Sequence, residues 1–285
     1  MTIERVVTEH YRHGALEQAL LEGLKAAGKD LNRLTPDDLA AADEHHIGGR
    51  QATVGFAAAI NPDADTHVLD IGSGIGGPSR YIAQRYRCRV TGVDLSEEFV
   101  AVAASLAKRV GLDDRVSYRQ ASALELPFAD ATFDSAYMQH VGMNIEDKAR
   151  LFNEIHRVLK PNGVFAIFDV MRTAEGPFNY PVPWASTEKA NYIATPAVYR
   201  ALLTSEGFEV VKEHSHLDFA LEFFASMKAK IAQMGGLPKL GPHIVMGPDA
   251  KEMIANIIAL CERKIVAPIE MICRRVEVNP HAGNV

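Results

Sequence analysis

The stretch Val68-Leu-Asp-Ile-Gly-Ser-Gly-Ile-Gly-Gly-Pro-Ser79 decides the fold. An apolar β-type run passes straight into a glycine-rich turn and then into Pro78 and Ser79, residues that open a helix. Gly72, Gly74 and Gly76, with Ser73 among them, free the backbone so that a nucleotide-like ligand can approach it. Asp70 stands two residues before the first of these glycines, and its charge selects among such ligands. A carboxylate there repels the phosphates of a dinucleotide and attracts an ammonium group. The ligand favoured is therefore a nucleoside with an amino-acid end and no phosphate.

A second carboxylate closes Cys88-Arg-Val-Thr-Gly-Val-Asp94, a short strand about 20 residues past the turn, where a ribose-binding acid is expected. Asp94, with Leu95 beside it, is expected to hold the ribose hydroxyls. The competing reading makes Asp94 a helix cap, but Ser96 followed by Glu97 and Glu98 supplies that cap unaided, for a helix over residues 97–110.

Strand and helix patterns alternate outward from this pair. Phe133-Asp-Ser-Ala-Tyr-Met138 reads as a fourth strand and residues 147–159 as an amphipathic helix, which Pro161-Asn-Gly163 stops. Val164-Phe-Ala-Ile-Phe168 is a buried fifth strand that ends at Asp169. Phe208-Glu-Val-Val-Lys-Glu213 and Ile269-Glu-Met-Ile-Cys273 are candidates for the sixth and seventh. The 217–266 interval between them is too long for a hairpin loop, and its apolar periodicity over 221–234 and 250–265 predicts inserted helices around a Gly/Pro-rich stretch. These helices would cap the ligand site or make a homodimer contact. Before the first strand, residues 3–27 have a helical rhythm that Gly28 can end, and Thr35-Pro36-Asp-Asp38 opens a second, short helix. The expected fold is α/β: a Rossmann-like, doubly wound, seven-stranded and mostly parallel sheet, with N-terminal helices and a helical insertion near the C-terminus. The expected units are a helical cap (1–56), the ligand-binding core (57–216), the insertion (217–266), and a last strand with a flexible tail (267–285).

Composition fits such a fold. A chain of 285 residues with 47% hydrophobic and 23% charged side chains can bury one large α/β core plus appended helices. The net charge of -6 argues against nucleic acid as the main partner. Cys88, Cys261 and Cys273 form no CxxC pair and leave one thiol over, which suits a reducing cytoplasm. Residues 1–13 are too polar for a signal peptide, and no apolar run approaches the roughly 20 residues that span a bilayer. The expectation is a cytoplasmic protein that works on a small molecule, away from membranes. His214 and His216 share a strand face without a third ligand at suitable spacing, so no metal site is expected.

Five segments, in order, resemble the class I S-adenosylmethionine-dependent methyltransferases: residues 68–79, Val93-Asp94-Leu95-Ser96, Leu126-Pro127-Phe128, Phe133-Asp134, and Glu154-Ile-His-Arg-Val-Leu-Lys-Pro-Asn-Gly163. The similarity covers roughly residues 60 to 215. It implies S-adenosyl-L-methionine as cofactor, helices folded over the cofactor cleft, and an edge hairpin of the last two strands. The family pattern commonly has an acid that meets the adenine amino group where this chain has Ser122, followed by Ala123. A serine hydroxyl still accepts a hydrogen bond, or Gln120 or the backbone takes over that contact.

Acceptor chemistry has three candidate groups. Asp43-Glu-His-His-Ile-Gly-Gly-Arg-Gln-Ala-Thr53 resembles a segment of the sarcosine and dimethylglycine methyltransferase-like branch, with His46 as a candidate base and Gly49 and Arg50 as substrate contacts. The alternative is a simple glycine turn with solvated histidines. Gln139 and His140 follow the fourth strand, and the resemblance places Gln139 by the cofactor and His140 by the acceptor. Imidazoles ordinarily titrate in the range that general base catalysis needs. Phe178-Asn-Tyr-Pro-Val-Pro-Trp184 and Tyr192 gather aromatics, with Tyr180, Trp184 and Tyr192 able to face a cation or to plug the sheet end. The leading reading is methyl transfer to a small-molecule amine or amino-acid-derived nitrogen. Methylation of oxygen, carbon or sulfur, an NAD-dependent oxidoreductase, and a cofactor-binding protein without turnover are the alternatives.

Overall fold

The computed structural model describes residue 4 and residues 15–276. The helical rhythm before Leu16 and the tail after Val276 lie outside these residues. Among the described residues α1 (Leu16–Ala26), α2 (Pro36–Asp43) and α3 (Gly49–Ile60) precede the sheet. The core then runs β1 (His67–Ile71), α4 (Gly77–Tyr86), β2 (Arg89–Asp94), α5 (Glu97–Arg109), β3 (Val116–Gln120) and β4 (Phe133–Gln139). It continues through α6 (Lys148–Val158), β5 (Leu159–Arg172), α7 (Pro196–Ser205) and β6 (Phe208–Ser215). Helices α8 (Leu217–Met234), α9 (His243–Met246) and α10 (Ala250–Glu262) separate β6 from β7 (Val266–Arg275).

The seven strands lie in the order β3-β2-β1-β4-β5-β7-β6. All neighbours pair in parallel except those of β7, which runs antiparallel to both β5 and β6. Side chains alternate across the sheet. Phe165, Ile167 and Met171 of β5 pack with α6 and α7, while Ala166 and Phe168 face α3 and α4. Burial on both faces explains why these strands read as continuous apolar runs.

The caps follow the sequence signals. Thr35 and Asp38 form a reciprocal capping box at α2, and Ser96 Oγ accepts from the Phe99 N–H at α5. Thr195 caps α7 in the same way, with Pro196 at its first turn. Two elements differ from expectation. Leu159 already pairs with Phe133, so the helix stops at Val158 and β5 begins before Pro161; it also runs past Asp169 to Arg172. No helix is expected over 49–60, but Gly48, at φ +91°, turns the chain directly into α3. Among the described residues no helix is long and apolar enough to cross a membrane.

Candidate active site

The carboxyl ends of β1 to β4 open onto one cavity, where ligands of open α/β sheets are held. Its floor is the glycine turn. The Gly72 and Ser73 N–H groups both donate to Val93 O, at 2.8 and 2.9 Å, which ties the turn to β2. Gly72 has φ +69°, and a Cβ there would come within 2.5 Å of Val141 Cγ2. Over Gly74, also at positive φ, there is open space. Asp94 links this turn to the start of α5: Oδ2 accepts from the Gly74 N–H and Oδ1 from the Ser96 N–H, each at 2.9 Å. Burial pushes the Asp94 carboxyl up.

Asp70 lines the cavity but is only 3% exposed, set beneath the turn rather than out at its mouth. Ser79 Oγ donates to its Oδ2 at 2.5 Å, and burial pushes its pKa up to about 6. Ser122 Oγ donates to Glu4 Oε1, also at 2.5 Å, and Glu4 itself faces the cavity. Leu95, Ala123 and Gln139 complete the lining on this side. Among the described residues, Ser73 Oγ and both amide atoms of Gln139 are buried without a partner. Buried polar atoms are rarely left orphaned, so these fit a polar ligand lying against the turn. Arg80, which lies against the turn, is already engaged by Asp43 and by the Ile75 carbonyl, and with carboxylates at Asp70 and Asp94 the lining fits a nucleoside with an ammonium group better than a pyrophosphate.

His46 and His140 meet across the same cavity, with ring centroids 6.0 Å apart and edge to face. His46 is buried and His140 is half-buried. His46 Nε2 lies 3.1 Å from Gly49 O and 3.0 Å from Thr53 Oγ1, whose own hydroxyl donates to Glu44 Oε2. A carbonyl can only accept, and the hydroxyl's proton is already used, so Nε2 carries the hydrogen and Nδ1 the lone pair. His140 sits at φ +58°, donates its backbone N–H to Phe168 O, and stacks its ring on Phe168 at 5.5 Å. Its Nε2 is buried without a partner among the described residues. Burial pushes the pKa of His46 down to about 3 and that of His140 well below the usual imidazole range. The expectation that they titrate near neutrality is thereby corrected: both stay neutral and present lone pairs.

Four expected substrate contacts lie off the cavity lining. Gly49 contributes its carbonyl to His46 instead. Arg50 is held by Glu44, Asp37 and the Pro36 carbonyl. Tyr180 Oη accepts from Asn191 Nδ2, and Asn191 Oδ1 accepts from Trp184 Nε1, so Tyr180 orients Trp184 from behind. Tyr192 binds through its backbone, to Met143 O and to Lys148 Nζ. Trp184 alone of the aromatic group lines the cavity, beside Phe223, Phe224 and Met227 of α8 and Met253 of α10.

Residues 69–167 match the family model described as a methyltransferase domain. Over those residues the chain is a methyltransferase domain. The chain is 27% identical over 213 residues to a sterol 24-C-methyltransferase of Eremothecium gossypii, covering 70% of this chain and 56% of that one. It is 31% identical over 154 residues to a sarcosine/dimethylglycine N-methyltransferase of Halorhodospira halochloris, covering 53% and 55%. The chain thus spans about half the length of these curated relatives. A solved geranyl diphosphate C-methyltransferase from Streptomyces coelicolor A3(2) shares the fold at TM-score 0.71 and 16% identity, over 97% of this chain and 98% of that one.

Sequence reasoning missed three residues that position this methyltransferase site. Glu44, whose side chain is 1% exposed, holds Arg50 Nε and Thr53 Oγ1, and its Oε2 lies 3.5 Å from His46 Nε2. Asp169 accepts from the Val141 and Gly142 N–H groups and from Tyr199 Oη, which fixes the loop that carries His140. Burial pushes Asp169 up to about 6. Fully buried Arg80 pairs with Asp43 at 2.7 Å and donates to Ile75 O, which locks the end of α2 onto the glycine turn. Asp169 stands at the expected end of the fifth strand and Glu44 flanks the histidines, but nothing in their spacing announces such partners.

Proposed function

We propose that this chain transfers the methyl group of S-adenosylmethionine to a small molecule, with an amine nitrogen as the acceptor atom. The observation that carries the reading is the meeting in one cavity of the glycine turn and Asp94 with the paired, neutral imidazoles of His46 and His140. When bound, the cofactor supplies a methyl activated by a sulfonium and a neutral thioether as leaving group. The chain aligns the reactants, an effect that reaches roughly 7 to 11 kcal/mol when near-attack geometry is held. Asp94 would hold the ribose, and Asp70 sets a negative field under the turn. The lone pair on His46 Nδ1 accepts an acceptor's N–H and directs the nitrogen lone pair inward.

The relatives' names point to carbon in one case and nitrogen in another, so the acceptor atom rests on the cavity's own chemistry. Asp70, Asp94, Glu146 and Asp147 line it, and among the described residues no lysine or arginine does. That charge balance favours a product that becomes an ammonium ion. An amino-acid acceptor would also bring a carboxylate, and Arg50 is committed elsewhere.

Calorimetric titration with S-adenosylmethionine and with NAD, followed by transfer of labelled methyl to a panel of amines, tests this reading. The expected outcome is binding of the methyl donor alone, weakened about tenfold or more by Asp94→Asn through loss of a charge-assisted hydrogen bond. NAD binding in its place, or an unaffected Asp94→Asn variant, would overturn it.

A further inference from the structure

The cavity has two chemistries. Against the glycine turn it is polar. Towards the insertion it is built from Phe223, Phe224 and Met227 on one side and Met253, Ile254 and Ile257 on the other, contributed by α8 and α10. Trp184 closes this lobe, fixed in place by its bond to Asn191. No charged side chain of α8, α9 or α10 faces in. Lys228 and Glu262 pair with each other instead, and Lys230, Lys251 and Glu252 are exposed. Nearer the core, Arg50 is engaged by Glu44 and Asp37, Arg80 by Asp43, and Lys148 Nζ by the Ile145 and Tyr192 carbonyls.

A ligand carboxylate, phosphate or diphosphate would therefore enter a cavity with several carboxylates and, among the described residues, no free cation on its walls. Burying an unpaired anion there is strongly unfavourable, whereas burying hydrocarbon is favourable in proportion to area. The methionines Met227 and Met253 add flexible side chains that mould to irregular apolar shapes.

We propose that the acceptor is a molecule without anionic groups whose hydrocarbon body lies between α8 and α10 and whose single nucleophile reaches His46 and His140. This rests on the methyltransferase reading for the identity of the reaction, but the lobe's preference is measurable without turnover. Free amino acids and phosphate esters are excluded by it.

Trp184 is the only tryptophan of the chain and stands in the lobe, so its fluorescence reports occupancy. The full chain, saturated with S-adenosylhomocysteine, is titrated with decanol, decylamine, decanoate, decyl phosphate and sarcosine. Decanol and decylamine are expected to shift the Trp184 emission at concentrations about tenfold or more below decanoate and decyl phosphate, with no response to sarcosine. Ile254→Arg, at a half-buried position on the lobe wall, supplies the missing cation and is expected to reverse the order of decanol and decanoate. Equal or tighter binding of decanoate, decyl phosphate or sarcosine by the unsubstituted chain overturns the proposal. So does the absence of any decanol response, or an Ile254→Arg variant with an unchanged order. Failure of calorimetric S-adenosylmethionine binding would instead strike the methyltransferase reading and leave the lobe's preference standing on the fluorescence data.

Discussion

Glu44→Gln separates what the buried carboxylate does for stability from what it does for His46. The folded-state pKa of Glu44 is pushed from 4.5 to about 7, by burial first and by neighbouring Asp43 second, against the opposing pull of Arg50 and Thr53. A pKa raised on folding means that the folded chain holds the proton more tightly. The stabilisation is complete below about pH 4.5 and is lost as pH rises to about 7. At about 1.36 kcal/mol per pH unit, that interval corresponds to about 3 kcal/mol. Gln keeps the shape of the protonated acid and cannot ionise. Its amide hydrogens also face the Thr53 and Arg50 donors, a pH-independent cost of about 1 to 2 kcal/mol. Equilibrium urea unfolding at about pH 4.5 and about pH 8.5 should therefore find the variant's stability, relative to the parent, improving by about 3 kcal/mol between the two. At the higher pH the variant should also turn over about tenfold or more slowly, because Thr53 Oγ1 loses the carboxylate that accepts its proton and no longer serves as a fixed acceptor for His46 Nε2–H, which releases the tautomer that puts the lone pair on Nδ1. A stability difference that is the same at both pH values, or an unchanged kcat, would refute the reasoning.

His46→Ala should lower kcat about tenfold or more while changing the affinity for S-adenosylmethionine less than about twofold; equal losses in steady-state assay and calorimetry would remove His46 from the acceptor side. Gly72→Ala should cost about 1 to 3 kcal/mol in thermal unfolding, since it forces a side chain into positive φ and onto Val141, whereas Gly74→Ala, with open space above it, should cost about 1 kcal/mol. Comparable losses at the two sites would show that the Val141 contact does not matter. Asp169→Asn leaves three donors facing one amide oxygen and should cost about 1 to 3 kcal/mol. It should lower kcat as well, by releasing the His140 loop; a destabilised variant with full kcat would show that Asp169 is structural only.

Much of the frame was written locally. Apolar runs that end in glycine turns, Ser96 before Glu97, and Thr35 before Pro36 act through neighbours within a few residues, so their meaning survives without a structure. The helix at 49–60 escaped because its start is a glycine at positive φ rather than a capping side chain. Residues 43–53 drew notice for their histidines, yet whether those were solvated or buried depended on α3 folding back against β5.

The sequence by itself determined the parallel α/β order, the glycine turn with Asp70 and Asp94, and the placement of His140 at the end of β4. These depend on periodicity, chain stiffness and position along the strand. Only the tertiary structure decided that Arg50 is spent on Glu44, that Tyr180 stands behind Trp184, that the histidines are neutral, and that α8 and α10 face the site with hydrocarbon. Partner choice and desolvation are set by groups far apart in the chain, and no local pattern encodes which distant side chain arrives or how much water it displaces.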